Sequence, residues 1–179
     1  MDLIGGVETR AIEIVEYDPL WPERYARHAR VIANALGERA LRIEHIGSTS
    51  VPGLAAKPIV DMLVVVSNSA DEDGYLPQLI AEGFELRVRE PEFFQHRMFR
   101  TPARDVHVHV FSAGSPEIER YLTFRDRLRV NEEERQRYEQ VKRRLASRSW
   151  PDVNAYAEAK TEVIEAIIAG ARKQMDSVL

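Results

Sequence analysis

The sequence has no cysteine and no hydrophobic run long enough to span a membrane. Without cysteine, disulfide scaffolds, cysteine zinc sites and thiol catalysis are excluded. The most apolar stretch, Pro58 to Val66, contains Asp61 and is far shorter than the ~20 residues of a membrane helix, so it predicts a buried strand. The N-terminal residues MDLIGGVETR lack the apolar segment of a secretory signal. We therefore expect a cytoplasmic protein with no membrane partner.

An excess of basic residues is also lacking. Lys and Arg number 25 against 29 Asp and Glu, which gives a net charge of -4. A dedicated duplex-DNA binder needs a basic surface for its phosphate contacts, so nucleic acid is not the expected partner, although a locally basic cleft is compatible with this balance. With 179 residues, 44% of them hydrophobic, the chain has the size and composition of one globular domain.

Hydrophobic periodicity divides the chain into a part rich in strands and a part rich in helices. The predicted strands span residues 12–17, 39–46, 59–66, 84–88, 95–101 and 105–111. The predicted helices span residues 20–36, 71–82, 117–130, 132–147 and 153–171. This order predicts an α/β fold leaning to α+β, with a mixed sheet core and flanking helices over residues 1–115. A C-terminal helical subdomain over residues 116–179 would pack on that core as one structural unit.

The segment Asp105 to Val110 alternates polar and valine residues, which predicts a strand with Asp105, His107 and His109 on one face. The Cα atoms of the two histidines would be roughly 6.8 Å apart, close enough for both imidazoles to reach one metal ion or one phosphate. A solvated strand face, or histidines satisfied by hydrogen bonds, is an equally weighted alternative.

Asp61 is the polar exception in the apolar strand 59–66. A carboxylate in that position must be hydrogen-bonded, paired or metal-bound, because an uncompensated one costs several kcal/mol. A buried ion pair with Lys57 or Arg42 is the structural alternative. The functional interpretation joins Asp61 to His107 and His109 in one metal site, provided that the two strands lie in one sheet with these faces aligned.

The loop from Gly47 to Lys57 has the parts of an anion site. Backbone N–H groups at a Gly-Ser turn can hold a phosphate, the hydroxyls of Ser48, Thr49 and Ser50 add donors, and Lys57 supplies positive charge. The loop lacks the Walker pattern. A connection whose glycines and prolines only set turn geometry is the alternative.

Further basic residues are candidates for phosphate neutralisation, namely Arg100 and Arg125. Tyr156 and Lys160 lie four positions apart, so they share a helix face that either packs in the core or faces the cleft. The stretch 132–144 mixes both charges and predicts a solvated helix face.

The stretch Glu44 to Val66, EHIGSTSVPGLAAKPIVDMLVVV, closely resembles the signature of the GrpB family. Further similarity lies in VHVHVF, residues 106–111, in FRDRLR, residues 124–129, and in the spacing of Tyr156 and Lys160. The resemblance implies a nucleotidyltransferase-like fold over nearly the whole chain. Some relatives are fused to dephospho-CoA kinase, where the GrpB-like region resembles a folding accessory.

By this resemblance, Gly47 and Ser48 occupy the phosphate-binding turn of nucleotidyltransferases, and Asp61 the first aspartate of their D-x-D motif. Leu63 stands where the second acid would be, so the ordinary two-metal site of the transfer reaction is incomplete.

These observations lead to one main hypothesis and two alternatives. The main hypothesis is a protein that binds a nucleotide or another phosphorylated small molecule with a divalent metal, with Asp61, His107 and His109 as metal ligands and candidate catalytic residues. Whether it is an enzyme stays open. Because imidazoles replace an acid, the expected ion is Mn²⁺, Zn²⁺ or Ni²⁺ rather than Mg²⁺. The alternatives are a non-catalytic accessory domain that binds a protein partner, and a single-metal hydrolase.

Overall fold

A computed structural model describes residues 1–9 and 11–176 of the chain. In this part of the chain one mixed sheet of six strands forms the core, with the strand order β1-β4-β5-β6-β3-β2. The strands are β1 (Asp2–Leu3), β2 (Arg42–Ile46), β3 (Val60–Val66), β4 (Glu85–Glu90), β5 (His96–Arg100) and β6 (Val106–Ser112). The central strands β3 and β6 are parallel, and the other neighbours are antiparallel.

Helices flank the sheet and make up most of the chain after β6. They are α1 (Trp21–Leu36), α2 (Leu76–Ala81), α3 (Pro116–Val130), α4 (Glu132–Ala146), α5 (Val153–Glu158) and α6 (Thr161–Asp176). The predicted fold class, a mixed sheet with helical cover, is confirmed. No helix among the described residues is long and apolar enough to cross a membrane.

The two faces of the sheet are covered by different helices. One face buries Val60, Met62 and Val64 of β3 and Val106 and Val108 of β6 in a core that α1 completes. The opposite face buries Leu63 and Val65 of β3 and Phe111 of β6 against Ile118 and Leu122 of α3. This alternation follows from the period of two along a strand, and it leaves Asp61, His107 and His109 on the α3 side.

A third apolar cluster joins the loop after β2 to the helical part of the chain. Val51 and Leu54 of the loop pack with residues of α3, α4 and α6, including Phe124, Tyr138 and Ile167. This packing holds the loop between the sheet and α4. The division at residue 115 stays a prediction, and residues 177–179 of the predicted subdomain lie outside the described residues.

Three of the predicted elements need correction. Residues 12–17 form only an isolated bridge, Val15 with Ala56, because the partner segment is a loop bounded by prolines that offers no continuous strand edge. The helix predicted for 153–171 is broken into α5 and α6, with Lys160 between them. The helix predicted for 71–82 begins only at Leu76, after a 3-10 turn, because Pro77 fits the first turn of a helix and not its interior.

Candidate functional site

The parallel register of β3 and β6 brings the sequence-predicted metal ligands together. Asp61 lies opposite His107, and Leu63 lies opposite His109. Asp61 Oδ1 is 3.5 Å from His107 Nδ1 and 3.6 Å from His109 Nε2. One ligand atom from each of the three residues lies within 4.8 Å of the others. Ligand atoms around a tetrahedral zinc ion stand roughly 3.3 Å apart, so a small adjustment would let all three bind one ion.

The Asp61 carboxylate and the two imidazoles face each other without a close hydrogen bond, because the distances of 3.5 and 3.6 Å exceed the usual ~3.2 Å limit for a nitrogen–oxygen hydrogen bond. The neighbouring position on the same strand face, Leu63, is fully buried in the core. The strand therefore offers one carboxylate, and not two, to a ligand.

Position 47 requires glycine, because of its backbone conformation and its close approach to Asp61. Its φ is +69°, in the region that favours glycine, and a Cβ placed there would come within 2.6 Å of Asp61 Oδ2. The 3-10 turn that follows, Ser48–Ser50, begins with hydrogen bonds from the Ser50 N–H (3.2 Å) and the Ser50 hydroxyl (2.6 Å) to the Gly47 carbonyl oxygen. Thr49 is hydrogen-bonded to the His45 ring at 3.0 Å. The hydroxyls of Thr49 and Ser50 are thus already hydrogen-bonded to neighbouring protein groups.

A small cleft of about 60 Å³ opens beside the Asp61 carboxylate and His107. Its walls come from the Ser48 turn and from three lysines, Lys57, Lys142 and Lys160. The predicted residues Ser48, Thr49, Lys57 and Lys160 therefore do line the same space as Asp61 and His107.

Lys142 reaches the cleft from α4. Its ammonium donates hydrogen bonds to the Ser48 hydroxyl, at 3.1 Å, and to the Ala55 carbonyl oxygen, and it lies 4.9 Å from the centre of the Tyr138 ring. Burial, together with repulsion from Lys160, lowers the pKa of Lys142 to about 7. The side chain is therefore close to the point of losing its charge at neutral pH.

The other two lysines share one aromatic neighbour. Lys160 Nζ lies 4.8 Å and Lys57 Nζ 5.5 Å from the centre of the Tyr156 ring. Burial, together with repulsion from Lys57, lowers the pKa of Lys160 to about 8. The Tyr156 hydroxyl is buried and has no hydrogen-bond partner among the residues that the structure describes, although Tyr156 lines the cleft. An unpaired buried hydroxyl beside lysines is a donor that a ligand can use.

Lys142 is the functional candidate that sequence reasoning missed. The prediction of a solvated face for residues 132–144 is wrong at this position, because only 2% of Lys142 is exposed. A weak signal was present: Tyr138, Lys142 and Leu145 follow helical spacing, and all three are buried. The remaining charges of the stretch obscured that pattern.

Arg100 and Arg125 lie outside the cleft, each held by carboxylates. Arg100 pairs with Glu8 and Glu85, at 3.1 Å in both cases. Arg125 contacts Glu44 at 2.7 Å and also its neighbour Asp126. The structure therefore does not bring these two predicted phosphate ligands to Asp61.

Two other residues considered with the site also lie elsewhere. Asp105 accepts a hydrogen bond from the Thr101 hydroxyl at 2.7 Å and lies 3.8 Å from Arg24 of α1, away from the two histidines. Arg42 pairs with Glu44 at 2.8 Å. Among the described residues, the side chains that face the Asp61 carboxylate include the two histidines, and Arg42 is paired elsewhere.

A second layer of polar side chains supports His109. His96 Nε2 lies 3.0 Å from His109 Nδ1, and His96 Nδ1 lies 2.7 Å from Glu90 Oε2. The His96 ring stacks on Phe111 at 4.7 Å. Burial lowers the pKa of His96 despite the hydrogen bond to Glu90. Nothing in the local sequence pattern identified this chain, because it depends on the pairing of β4, β5 and β6.

A family model, a sequence relative and a solved structure all point to the same protein family for this chain. A family model described as GrpB protein matches residues 11–169 of the chain. A UPF0157 protein of Halalkalibacterium halodurans is 51% identical over 158 residues, which cover 88% of this chain and 81% of that protein. The crystal structure of conserved protein GrpB from Enterococcus faecalis aligns with a TM-score of 0.81 and 35% identity, over 91% of this chain and 99% of that one.

Two weaker similarities are to longer proteins, of which this chain covers less than half. A dephospho-CoA kinase of Mycolicibacterium paratuberculosis is 29% identical over 175 residues, which cover 83% of this chain but 43% of that protein. A structure of the Cid1 poly(U) polymerase aligns with a TM-score of 0.46 and 14% identity, over 72% of this chain and 45% of that one. At this last level of similarity nothing about chemistry transfers between the two proteins.

Proposed function

We propose that this chain, which belongs to the GrpB family, binds a nucleotide or another phosphorylated small molecule in the lysine-lined cleft, together with a divalent metal held by Asp61, His107 and His109. The observation that carries the proposal is the convergence of one carboxylate and two imidazoles beside three lysines. A cytoplasmic location is part of the same proposal.

The donor set at Asp61 fits a borderline metal ion. Each imidazole presents a ring nitrogen to the same carboxylate oxygen, and a shared cation would satisfy all three atoms at once. Nitrogen ligands favour Mn²⁺, Zn²⁺ or Ni²⁺, whereas Mg²⁺ requires near-octahedral oxygen ligands. When bound, such an ion would polarise a phosphate oxygen of the ligand.

The cleft fits a phosphate group in charge and in size. Three lysine ammoniums and the unpaired Tyr156 hydroxyl can donate hydrogen bonds to phosphate oxygens. A free volume of about 60 Å³ corresponds to on the order of two water molecules, so a terminal phosphate would enter and the rest of the ligand would lie outside. The lowered pKa values of Lys142 and Lys160 add a consequence: an anion would favour their charged forms, so binding should take up protons.

The proposal concerns binding, and catalysis is not required by it. Nucleotidyl transfer through two metal ions needs a second carboxylate close to the first, and Leu63 occupies the relevant position of β3. His107 and His109 supply nitrogen ligands in place of further acids.

A second candidate function is that of a folding accessory or protein-interaction domain. It is favoured by the similarity to the dephospho-CoA kinase, in which a matching region accompanies additional sequence. Such a domain would not need the cleft to bind anything. The two candidates therefore differ in what happens when small ligands are added to the isolated chain.

The test is calorimetric titration of metal-stripped protein with Zn²⁺, and then with ATP in the presence of Zn²⁺, at about pH 8. We expect binding of both, with protons taken up when ATP binds, measured as a dependence of the heat on buffer ionisation enthalpy. Lys160→Met should weaken ATP binding, while the exposed Lys173→Met is the matched control and should not. Failure to bind either ligand at millimolar concentration would contradict the proposal and favour the accessory function.

A further inference from the structure

The hydrogen-bond chain behind His109 determines which of its ring nitrogens carries hydrogen. A neutral imidazole carries one ring hydrogen, on either of its two nitrogens. The Glu90 carboxylate can only accept a hydrogen bond, so the hydrogen of His96 belongs on Nδ1, 2.7 Å from Glu90 Oε2. The other nitrogen of His96, Nε2, is then an acceptor.

The same argument about donors and acceptors applies to His109. Its Nδ1 lies 3.0 Å from His96 Nε2, and two acceptors cannot form a hydrogen bond, so His109 Nδ1 carries the hydrogen. His109 Nε2 is left with a lone pair, which faces Asp61 Oδ1 at 3.6 Å. Two acceptors face each other across the site, which is the arrangement that a cation satisfies.

The hairpin that carries Glu90 and His96 is built to hold this geometry. Glu90 and His96 pair across β4 and β5, and the turn between them places Phe94 and Gln95 at φ values of +50° and +55°. Positive φ is unfavourable for a bulky aromatic residue, and such strain persists where surrounding structure maintains it. Phe93 packs against the His96 ring, with a centroid distance of 6.1 Å, so the turn helps to fix the plane of that ring.

We infer that Glu90 and His96 are positioning residues that hold His109 in the Nδ1–H tautomer, so that Nε2 is presented unprotonated to a metal ion beside Asp61. The inference rests on the proposed function in that it assigns a purpose to this tautomer. Metal-binding histidines in general donate their second ring N–H to a supporting acceptor, and loss of that acceptor weakens metal binding about 10- to 100-fold.

The test uses two measurements on the whole chain, so that the two proposals can fail separately. The first is long-range nitrogen–proton NMR correlation of the histidine side chains in metal-free protein at about pH 8, which identifies each tautomer. The second is Zn²⁺ titration. His96→Phe keeps a ring that can stack on Phe111 and removes both nitrogens, and His28→Phe on α1, where His28 contacts the ring of Phe84, is the matched control.

We expect His109 to be the Nδ1–H tautomer in the parent protein. In His96→Phe, His109 should take the Nε2–H form, because its hydrogen can then point at the Asp61 carboxylate, and Zn²⁺ affinity should fall about 10- to 100-fold. Glu90→Ala, at a partly exposed position that tolerates truncation, should move the tautomer in the same direction, whereas Glu90→Gln keeps an acceptor and should restore the parent state.

The inference is overturned if His109 is already the Nε2–H tautomer in the parent protein, or if its tautomer is the same in the parent, His96→Phe and Glu90→Ala. If the tautomer behaves as expected but the parent protein does not bind Zn²⁺, the positioning role is supported and the proposed metal function is rejected.

Discussion

The two faces of the central strands β3 and β6 have opposite chemistry although their residues alternate along the same segments. On one face, Met62 and Val108 are fully buried in the core beneath α1. On the other face, Asp61 and His107 line the cleft, and His109 lies 3.6 Å from the Asp61 carboxylate. Burial of the apolar face accounts for much of the stability of the sheet. We expect the polar groups of the other face to contribute little to the stability of the ligand-free protein. The comparison predicts that substitutions on the two faces affect the stability of the fold and the proposed ligand binding separately.

The largest expected effect comes from placing a polar group on the apolar face. Val108→Asn should cost about 3 to 5 kcal/mol, because it loses the burial of a valine and leaves an amide without partners. His107→Asn, one residue away on the polar face, should cost less than about 1.5 kcal/mol, because that side chain is partly exposed. Equilibrium denaturation of both variants measures the difference. Equal losses would show that the two faces contribute alike to the fold.

A smaller effect is expected at the turn that approaches the polar face. Gly47→Ala should cost about 2 to 3 kcal/mol, because it adds a Cβ at positive φ and pushes that atom into the Asp61 carboxylate. Gly53→Ala is the matched control, with a φ of +77° and nothing within 4 Å of its added Cβ, and should cost about 1 kcal/mol.

Denaturation curves measure the stability difference between these glycine variants, and Zn²⁺ titration measures the displacement of Asp61. Equal losses of unfolding free energy in the two glycine variants, with unchanged Zn²⁺ binding, would mean that the approach of Gly47 to Asp61 affects neither stability nor metal binding.

The third prediction concerns pH and the buried lysine of the cleft. The folded-state pKa of Lys142 is about 7, below the ordinary value of 10.5, so between these values the unfolded chain holds a proton that the folded chain does not. The stability of the parent protein should therefore rise with pH relative to Lys142→Met, by up to about 1.4 kcal/mol per pH unit above pH 7.

Denaturation at pH 6, 7.5 and 9 tests this, with the exposed Lys173→Met as a control that should leave the pH dependence unchanged. A stability difference between the parent and Lys142→Met that is constant over this range would show that Lys142 keeps its charge in the folded protein.

Much of the fold was predictable because it follows local periodicity. The alternation of Val106 to Phe111 and the apolar run around Asp61 identified β6 and β3. Residues 12–17 alternate in the same way and yet form no strand, because a strand also needs a partner edge, which the loop does not provide.

The candidate site was predictable only in part. Asp61, His107 and His109 stand out because they are polar residues in apolar segments, and the structure brings them together. Lys142 was hidden among solvated charges of the same helix. His96 depends on strand pairing, which a period of two does not reveal. Arg100 and Arg125 show the converse, since positive charge alone does not distinguish a phosphate ligand from an arginine that pairs with carboxylates.

The most direct test of the central claim is the denaturation of Asp61→Asn and of the parent protein, each with and without Zn²⁺. Asparagine keeps the size of the side chain, and its amide can donate to the lone pair of His109 Nε2, so the metal-free variant should be within about 1 kcal/mol of the parent or more stable. Zn²⁺ at about 100 times its Kd should stabilise the parent by about 2.7 kcal/mol and the variant far less. A loss of about 3 to 5 kcal/mol in the metal-free variant, with no effect of Zn²⁺ on the parent, would contradict the account and make Asp61 a structural ion-pair residue.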